Sequence, residues 1–208
     1  MAIAIALSPF PVVPSILLLF TPRARAAGAA FAGGWATGVA AATLVFAVLS
    51  GVVELAEQPA PWVSWALVAV GVALVVFGVR RWLQRGRKSE EPAWMASVSS
   101  ASPGKAYRLG LGLSGANPKI VLLAAAAGLA IGDAEAGWQA TVGLVLVVTV
   151  VGSLGVVTPV TLYAVAGERM LEPLGTARDW LVRHNAAITA VVIVVIGVVV
   201  VFKGLDGL

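Results

Sequence analysis

The chain has 208 residues, of which 60% are hydrophobic and only 12% are charged, so it is too apolar for a soluble globular domain. Its net charge of +4 does not indicate a nucleic-acid partner, because the basic residues cluster in loops beside apolar segments, where they set membrane orientation. Cysteine is absent, which excludes disulfides, thiol redox chemistry and cysteine metal sites. We therefore predict an integral membrane protein.

The first apolar segment covers residues 2–20, and its basic residues, Arg23 and Arg25, follow it instead of preceding it. A secretory signal peptide has the reverse order and ends in a small-residue cleavage site. The order observed here predicts an uncleaved first span whose N-terminus lies outside the cytoplasmic membrane.

Prolines interrupt this first span. Pro9, Pro11 and Pro14 follow Ser8 within a few residues. A regular helix does not hold three prolines so close together, because each lacks the N–H that the helix requires. We therefore expect the first span to be broken near its middle.

The second predicted span covers residues 27–53, and the third covers residues 62–79. The second is rich in Gly and Ala, and Gly34 and Gly38 have the four-residue spacing that lets helix backbones approach closely. A short acidic turn containing Glu54 separates the two spans.

The longest polar stretch, residues 80–108, carries seven basic residues against two acidic ones, so we expect it on the cytoplasmic side. It divides the chain into a first three-helix repeat at 1–79, the basic linker itself, and a second three-helix repeat at 109–208. Residues 80–88 can also bind anionic lipid head groups, but a plain role in topology is favoured.

The fourth span covers residues 109–131 and contains Asn117, Pro118 and Lys119 near its middle. A lysine at mid-bilayer costs about 2.5–3.5 kcal/mol, so Lys119 must face protein or a water-filled cavity. Because Pro118 has no N–H and disfavours a helical Asn117, we expect the helix to bend or break there.

The fifth span runs over residues 138–166, and we expect it to tilt or kink at Pro159. A mixed loop is predicted at 168–185, where His184 is expected to be a solvated surface residue. The sixth span covers residues 186–202 and is almost entirely Val, Ile and Ala.

Connections between these spans alternate in charge, since those after the first, third and fifth are basic and those after the second and fourth are acidic. This alternation predicts an all-α protein with six transmembrane helices and with both termini outside. Three spans on each side of the linker must cross the membrane in opposite directions, which is the inverted-repeat plan of many secondary transporters. The broken first and fourth helices occupy corresponding positions in the two repeats.

Two short stretches, one in each broken span, have a distinctive order: Ser8, Pro9, Phe10 and Pro11 in the first, and Asn117, Pro118 and Lys119 in the fourth. With six predicted spans, they resemble the lysine-exporter (LysE) superfamily, most closely its actinobacterial branch of GAP or sulfolipid-addressing proteins. That branch implies export of a glycolipid, whereas the amino-acid exporters of the superfamily imply amino-acid efflux. The thiol-redox members rely on paired cysteines, so their activity is not carried over.

No Asp, Glu or His lies inside a predicted span, so we expect no metal site, no cofactor and no enzymatic activity. Lys119 then has three interpretations. It holds an anionic group at the midplane, or it loads and releases a proton during transport, or it donates to carbonyls freed by Pro118 and only closes the break.

We predict a midplane site between the first and fourth helices, where Ser8, Asn117 and Thr158 are small polar groups that either line the cavity or only bond helices together. The prolines shape the site or act as hinges. The full set of predicted substrate-binding or transport residues is Ser8, Pro9, Pro11, Pro14, Asn117, Pro118, Lys119, Thr158 and Pro159.

The predicted function is export of a lipid or glycolipid across the cytoplasmic membrane. Amino-acid efflux is the first alternative, and a non-transporting scaffold that holds lipid-synthesis enzymes at the cytoplasmic loop is the second. Predicted partners are the substrate and membrane lipids. A homodimer is left open, since the glycine pairs Gly34/Gly38 and Gly128/Gly132 can serve packing within one chain or between two.

Overall fold

The computed structural model describes residues 1–6, 8–53, 61–83, 98, 101–134 and 137–206, and this part of the chain is helical without strands. The predicted acidic turn after the second span and most of the basic linker lie outside the described residues. The helices are α1 (Ala2–Ala6), α2 (Pro9–Leu18), α3 (Ala24–Val53), α4 (Pro61–Leu83), α5 (Pro103–Gly115), α6 (Pro118–Gly132), α7 (Gly137–Ala166), a 3₁₀ helix (Gly167–Met170) and α8 (Leu171–Asp206).

Several of these helices can cross a membrane. Two segments, Ala24–Ser50 and Gly137–His184, are long and apolar enough to do so, and α5 with α6 meets the same test as one span bent by 66°. Two shorter apolar helices, Gly71–Arg80 and Ala190–Phe202, lie where the third and sixth spans were expected. The chain is thus a helical membrane protein, and the count of six spans in two inverted repeats stays a prediction.

The chain forms two compact units, and each contains segments from both sides of the linker. Unit 1 comprises Met1–Glu54 and Glu91–Val182, whereas unit 2 comprises Leu55–Glu90 and Arg183–Leu208. A packing unit and a sequence repeat are different divisions of a chain. The predicted repeat boundaries therefore stay a prediction.

The first span is broken, as predicted, but the break precedes the prolines. α1 ends at Ala6 and α2 begins at Pro9. Pro9 and Pro11 lie in the first turn of α2, where no intrahelical N–H bond is required, so both fit a regular helix. Pro14 also lies inside α2. The expectation that three prolines cannot share a helix was wrong, because two of them occupy positions that need no donor.

α3 packs along both halves of the second broken span. Gly38 of α3 lies against Ser114 of α5, and Gly128 of α6 lies against the Thr43 carbonyl oxygen of α3, so closely that a Cβ would collide at either glycine. The same holds for further glycines at this interface: Gly34, Gly110 and Gly132. Both glycine pairs named from the sequence therefore pack within one chain. The unbroken α3 therefore spans the break between α5 and α6 and packs against the helix on each side of it.

α7 holds the first broken span in the same way. Gly155 lies against the Ala6 carbonyl oxygen at the end of α1, and a Cβ there would collide with it. Beyond the break, Val160 of α7 shares a hydrophobic cluster with Ile16 and Leu19, at the end of α2 and just after it. α7 therefore contacts the first broken span on both sides of its break.

Contacts at both ends of α3 and α7 give their relative direction. A Cβ on Gly28, near the start of α3, would lie 3.4 Å from Val160, near the end of α7. Near the opposite ends, Ala47 and Val145 share a hydrophobic cluster. α3 and α7 therefore run antiparallel.

Unit 2 contains a second antiparallel pair. A Cβ on Gly71 of α4 would lie 2.6 Å from a Val201 methyl group of α8, and one on Gly78 would lie 2.7 Å from a Val194 methyl group. Residues later in α4 thus contact residues earlier in α8. The two helices are therefore close-packed and antiparallel.

One local expectation about the second half changes. Residues 168–185, predicted as a loop, are helical, because they form the 3₁₀ helix and the start of α8. Charged residues had suggested a loop, but they are compatible with a helix, and Pro173 lies in the first turn of α8, where proline is tolerated. Pro159 lies inside α7, which continues through it, and the predicted tilt or kink there stays a prediction.

Opposite effects are predicted for one substitution at two glycines of α7. Gly143→Ala meets no atom within 4 Å, so the better helix propensity of alanine should raise stability by up to about 1 kcal/mol. Gly155→Ala should instead lower stability by about 1–3 kcal/mol, because its Cβ collides with Ala6. Thermal unfolding of the detergent-solubilised variants tests this. Shifts of the same sign in both variants would contradict the packing described.

Candidate functional site

The two breaks face each other inside unit 1. α1 contacts α6, and α2 contacts α5. The helix that precedes one break thus pairs with the helix that follows the other. Such a crossed pairing arises when two broken spans run antiparallel and their breaks lie side by side.

The second break is built by Asn117 and Pro118. Asn117 has an extended backbone (φ −82°, ψ 112°), and its Oδ1 accepts a hydrogen bond from the Lys119 backbone N–H at 3.1 Å. It is therefore the N-cap of α6, and Pro118 occupies the first helical position, which proline favours. The break predicted from these residues is confirmed, and Asn117 has a structural role in addition to any role in binding.

Lys119 lies in the first turn of α6 and is half-buried. A helix N-terminus carries a partial positive charge, so a lysine here adds positive charge to positive charge. The structure shows no ion pair between Lys119 and any described carboxylate. Although Asn117 caps α6, the ammonium group and the positive dipole end of α6 together make the second break a place where an anion would be stabilised.

Ser8 occupies the equivalent N-cap position of α2 but does not cap it. Its side chain is buried and makes no capping hydrogen bond. One reason is chemical: Pro11, at the third helical position, has no N–H to donate. The Ser8 hydroxyl is therefore not committed to closing its own helix.

A largely apolar groove of about 540 Å³ lies beside the first break. It is formed by α1, α2, α7 and the start of α8, all within unit 1, and its lining includes Val12, Leu154, Thr158, Pro159 and Leu174. Thr158 supplies the one side-chain hydroxyl among the lining residues. The volume of the groove and its apolar lining fit an apolar ligand.

The predicted site residues fall into three neighbouring places in unit 1. The first break and α2 hold Ser8, Pro9, Pro11 and Pro14, the second break holds Asn117, Pro118 and Lys119, and the groove holds Thr158 and Pro159. Asn117 and Lys119 do not line the groove. Their joint role in one transport site stays a prediction.

Sequence reasoning missed three buried polar side chains in the middle of α3 and α7. Trp35, Thr43 and Ser153 each have a polar atom without a hydrogen-bond partner in the described part of the chain. One signal was visible: tryptophans of membrane helices concentrate at the interfaces, whereas Trp35 lies near the centre of a long span. The hydroxyls gave no comparable signal, because Ser and Thr are common in such helices.

A family model described as Sap, sulfolipid-1-addressing protein, matches residues 1–206. The chain belongs to the sulfolipid-1-addressing protein (Sap) family. The match includes both breaks and the two long helices, α3 and α7, that pack across them. Neither a curated protein nor a solved structure matches the chain. The resemblance to the sulfolipid-addressing branch is thus confirmed, while the wider lysine-exporter relationship stays a prediction.

The capping role of Asn117 in this Sap family protein can be tested directly. Asn117→Ala removes the acceptor for the Lys119 N–H and should lower the free energy of unfolding by about 0.5–2 kcal/mol. Asn117→Ser keeps a capping oxygen and should retain most of the stability. Chemical or thermal unfolding in detergent measures both. An Asn117→Ala variant as stable as the wild type would show that the Asn117 cap does not stabilise the protein.

Proposed function

We propose that this Sap family protein exports a lipid or glycolipid across the cytoplasmic membrane. The observation that carries the proposal is the pairing of two broken spans, α1–α2 and α5–α6, antiparallel and with their breaks at one height. Paired discontinuous helices at corresponding positions form the midplane substrate sites of many secondary transporters. The family description, which names sulfolipid-1 addressing, supports a lipid as cargo.

The second break supplies the features that an anionic head group requires. The Lys119 ammonium group and the N-terminus of α6 both favour a negative charge, and no described carboxylate pairs with Lys119. A sulfate, phosphate or carboxylate on the head group is the matching chemistry. Substrate binding is therefore favoured over mere closure of the break as the role of Lys119.

The groove beside the first break supplies a place for the hydrocarbon part of the same cargo. Its lining is almost entirely aliphatic, with Thr158 as the exception. An amino acid would gain little from such a surface, whereas an acyl chain would bury apolar area there. The groove therefore favours lipid export over the amino-acid alternative.

Helix directions support the six-span inverted repeat that we propose for this transporter. α3 and α7 hold corresponding places in the two predicted repeats and run antiparallel, and so do α4 and α8 within unit 2. Opposite directions of corresponding spans are what a three-plus-three inverted repeat requires. With six crossings, both termini lie on the same side, which we propose is the outside. The proposal assigns no enzymatic activity.

The test compares surface lipids in four strains, which carry the wild-type protein, no protein, Lys119→Ala or Lys105→Ala. Lys105 is an exposed lysine at the start of α5, outside the break, so its variant controls for general loss of positive charge. Loss of a charge-assisted hydrogen bond costs about 1.5–3 kcal/mol, which is about 10- to 150-fold in cargo affinity.

We expect the deletion and Lys119→Ala strains to retain a glycolipid in the cytoplasmic membrane that the other two strains deliver to the surface. Lipid synthesis and protein level must be unchanged for this result to count. Unaltered surface lipids in the deletion strain would refute lipid export. A deletion defect that Lys119→Ala does not reproduce would remove the lysine from the mechanism.

A further inference from the structure

The groove beside the first break has room for one acyl chain. Its volume is about 540 Å³. A methylene group fills roughly the volume that a water molecule fills in the liquid, about 30 Å³, so the groove holds a chain of about 18 carbon atoms. Along α7 its lining extends from Val151 to Leu162, a rise of about 16 Å. The groove is thus elongated, and it accommodates one chain of a membrane lipid and not two.

Arg178 of α8 lies among residues that line this groove. The lining residues of α8 are Leu174, Ala177 and Leu181, which are four residues before, one before and three after the arginine. Residues three or four apart are neighbours on a helix surface, so Leu174, Arg178 and Leu181 share one face. That face packs onto unit 1, where Leu174 is buried in a cluster with Ile16. Arg178 therefore extends from the face of α8 that forms a wall of the groove.

Asp179 is a weak ion-pair partner for Arg178. An Arg178 terminal nitrogen lies 3.6 Å from an Asp179 carboxylate oxygen, beyond the about 2.7–2.9 Å of a charge-assisted hydrogen bond. The Asp179 side chain is 63% exposed, whereas that of Arg178 is 26% exposed. Ion pairs with a solvent-exposed partner contribute little free energy. Binding a stronger anion at Arg178 would therefore cost little in lost contact with Asp179.

The chemistry of arginine identifies the class of ligand. A guanidinium group is planar, and its paired N–H donors bind two oxygens of a phosphate, sulfate or carboxylate at once. An acidic lipid carries such a group a few bonds away from its acyl chain. Because Arg178 adjoins the groove, one molecule of this kind can place its chain in the groove and its acid group at the arginine.

We propose that the groove binds an acidic lipid by one acyl chain, and that Arg178 binds the phosphate, sulfate or carboxylate of its head group. This inference rests on the proposed lipid export and specifies the lipid that enters: the groove selects anionic over neutral lipids. Ala6 and Gly155 line the groove beside the first break, whereas Lys119 does not line it. The groove is therefore a loading site, which the lipid occupies before its head group reaches Lys119.

The experiment measures thermal unfolding of the full-length protein in a nonionic detergent with three ligands. These are oleoyl lysophosphatidic acid, monooleoylglycerol, which has the same chain and glycerol but no phosphate, and inorganic phosphate. The wild type should unfold at a temperature about 2–4 °C higher with saturating lysophosphatidic acid. Monooleoylglycerol should produce a smaller shift, and inorganic phosphate should produce none, because neither provides both the chain and the charge.

Variants separate the two parts of the site. Arg178→Gln should need about tenfold more lysophosphatidic acid for the same shift and should keep the wild-type response to monooleoylglycerol. Arg178→Lys retains the charge and should recover part of the response. Ala177→Phe, at an exposed position in the lining, should fill the groove and weaken the response to both lipids. Arg169→Gln removes an exposed arginine outside the lining and is the matched control. Lys119→Ala should also keep the full shift.

Several outcomes would overturn the proposal. They are equal wild-type responses to the two lipids, a shift with inorganic phosphate alone, or an Arg178→Gln variant that responds to lysophosphatidic acid as the wild type does. If Arg178→Gln does not fold, an unchanged response to lysophosphatidic acid in Ala177→Phe overturns it instead.

Failure of this site and failure of export are distinguishable. A shift that depends on Arg178, together with normal surface lipids in the deletion strain, would keep the site and refute export. A surface-lipid defect in the deletion strain without such a shift would keep export and refute the site.

Discussion

The architecture of unit 1 depends on backbone contact between each broken span and one unbroken helix. α3 runs beside α5 and α6, α7 runs beside α1 and α2, and glycines such as Gly38 and Gly155 bring the backbones together. A break in a membrane helix exposes polar backbone groups that lipid cannot satisfy, so it must be enclosed by protein or water. α3 and α7 provide that enclosure and hold the two breaks side by side.

From this constraint follow the two chemical environments that the proposed function uses. Enclosure of the second break places Lys119 beside the N-terminus of α6 in a partly buried setting. On the far side of α7, the first broken span and the start of α8 leave an aliphatic groove. A charged head group and a hydrocarbon chain are the two ends of an acidic lipid, and each environment matches one of them.

Local rules in the sequence predicted part of this structure. The break at Asn117 and Pro118 was predictable, because an asparagine cap followed by proline has the same local chemistry in any context. The first break was predicted but misplaced, since Pro9 and Pro11 fit the first turn of α2. The helix at 168–185 was missed because charge alone does not decide between loop and helix. The groove and the unsatisfied hydroxyls could not be predicted, because they depend on which faces of distant helices pack together.

The most direct test of the account is lipid translocation by the purified protein in vesicles. A fluorescent sulfated glycolipid is placed in both leaflets, and a membrane-impermeant quencher reports how fast the inner-leaflet lipid reaches the outside, with and without an imposed proton gradient. Vesicles containing the protein should lose the protected fluorescence faster than protein-free vesicles under at least one of these conditions. Equal rates in protein-containing and protein-free vesicles under both conditions would contradict it.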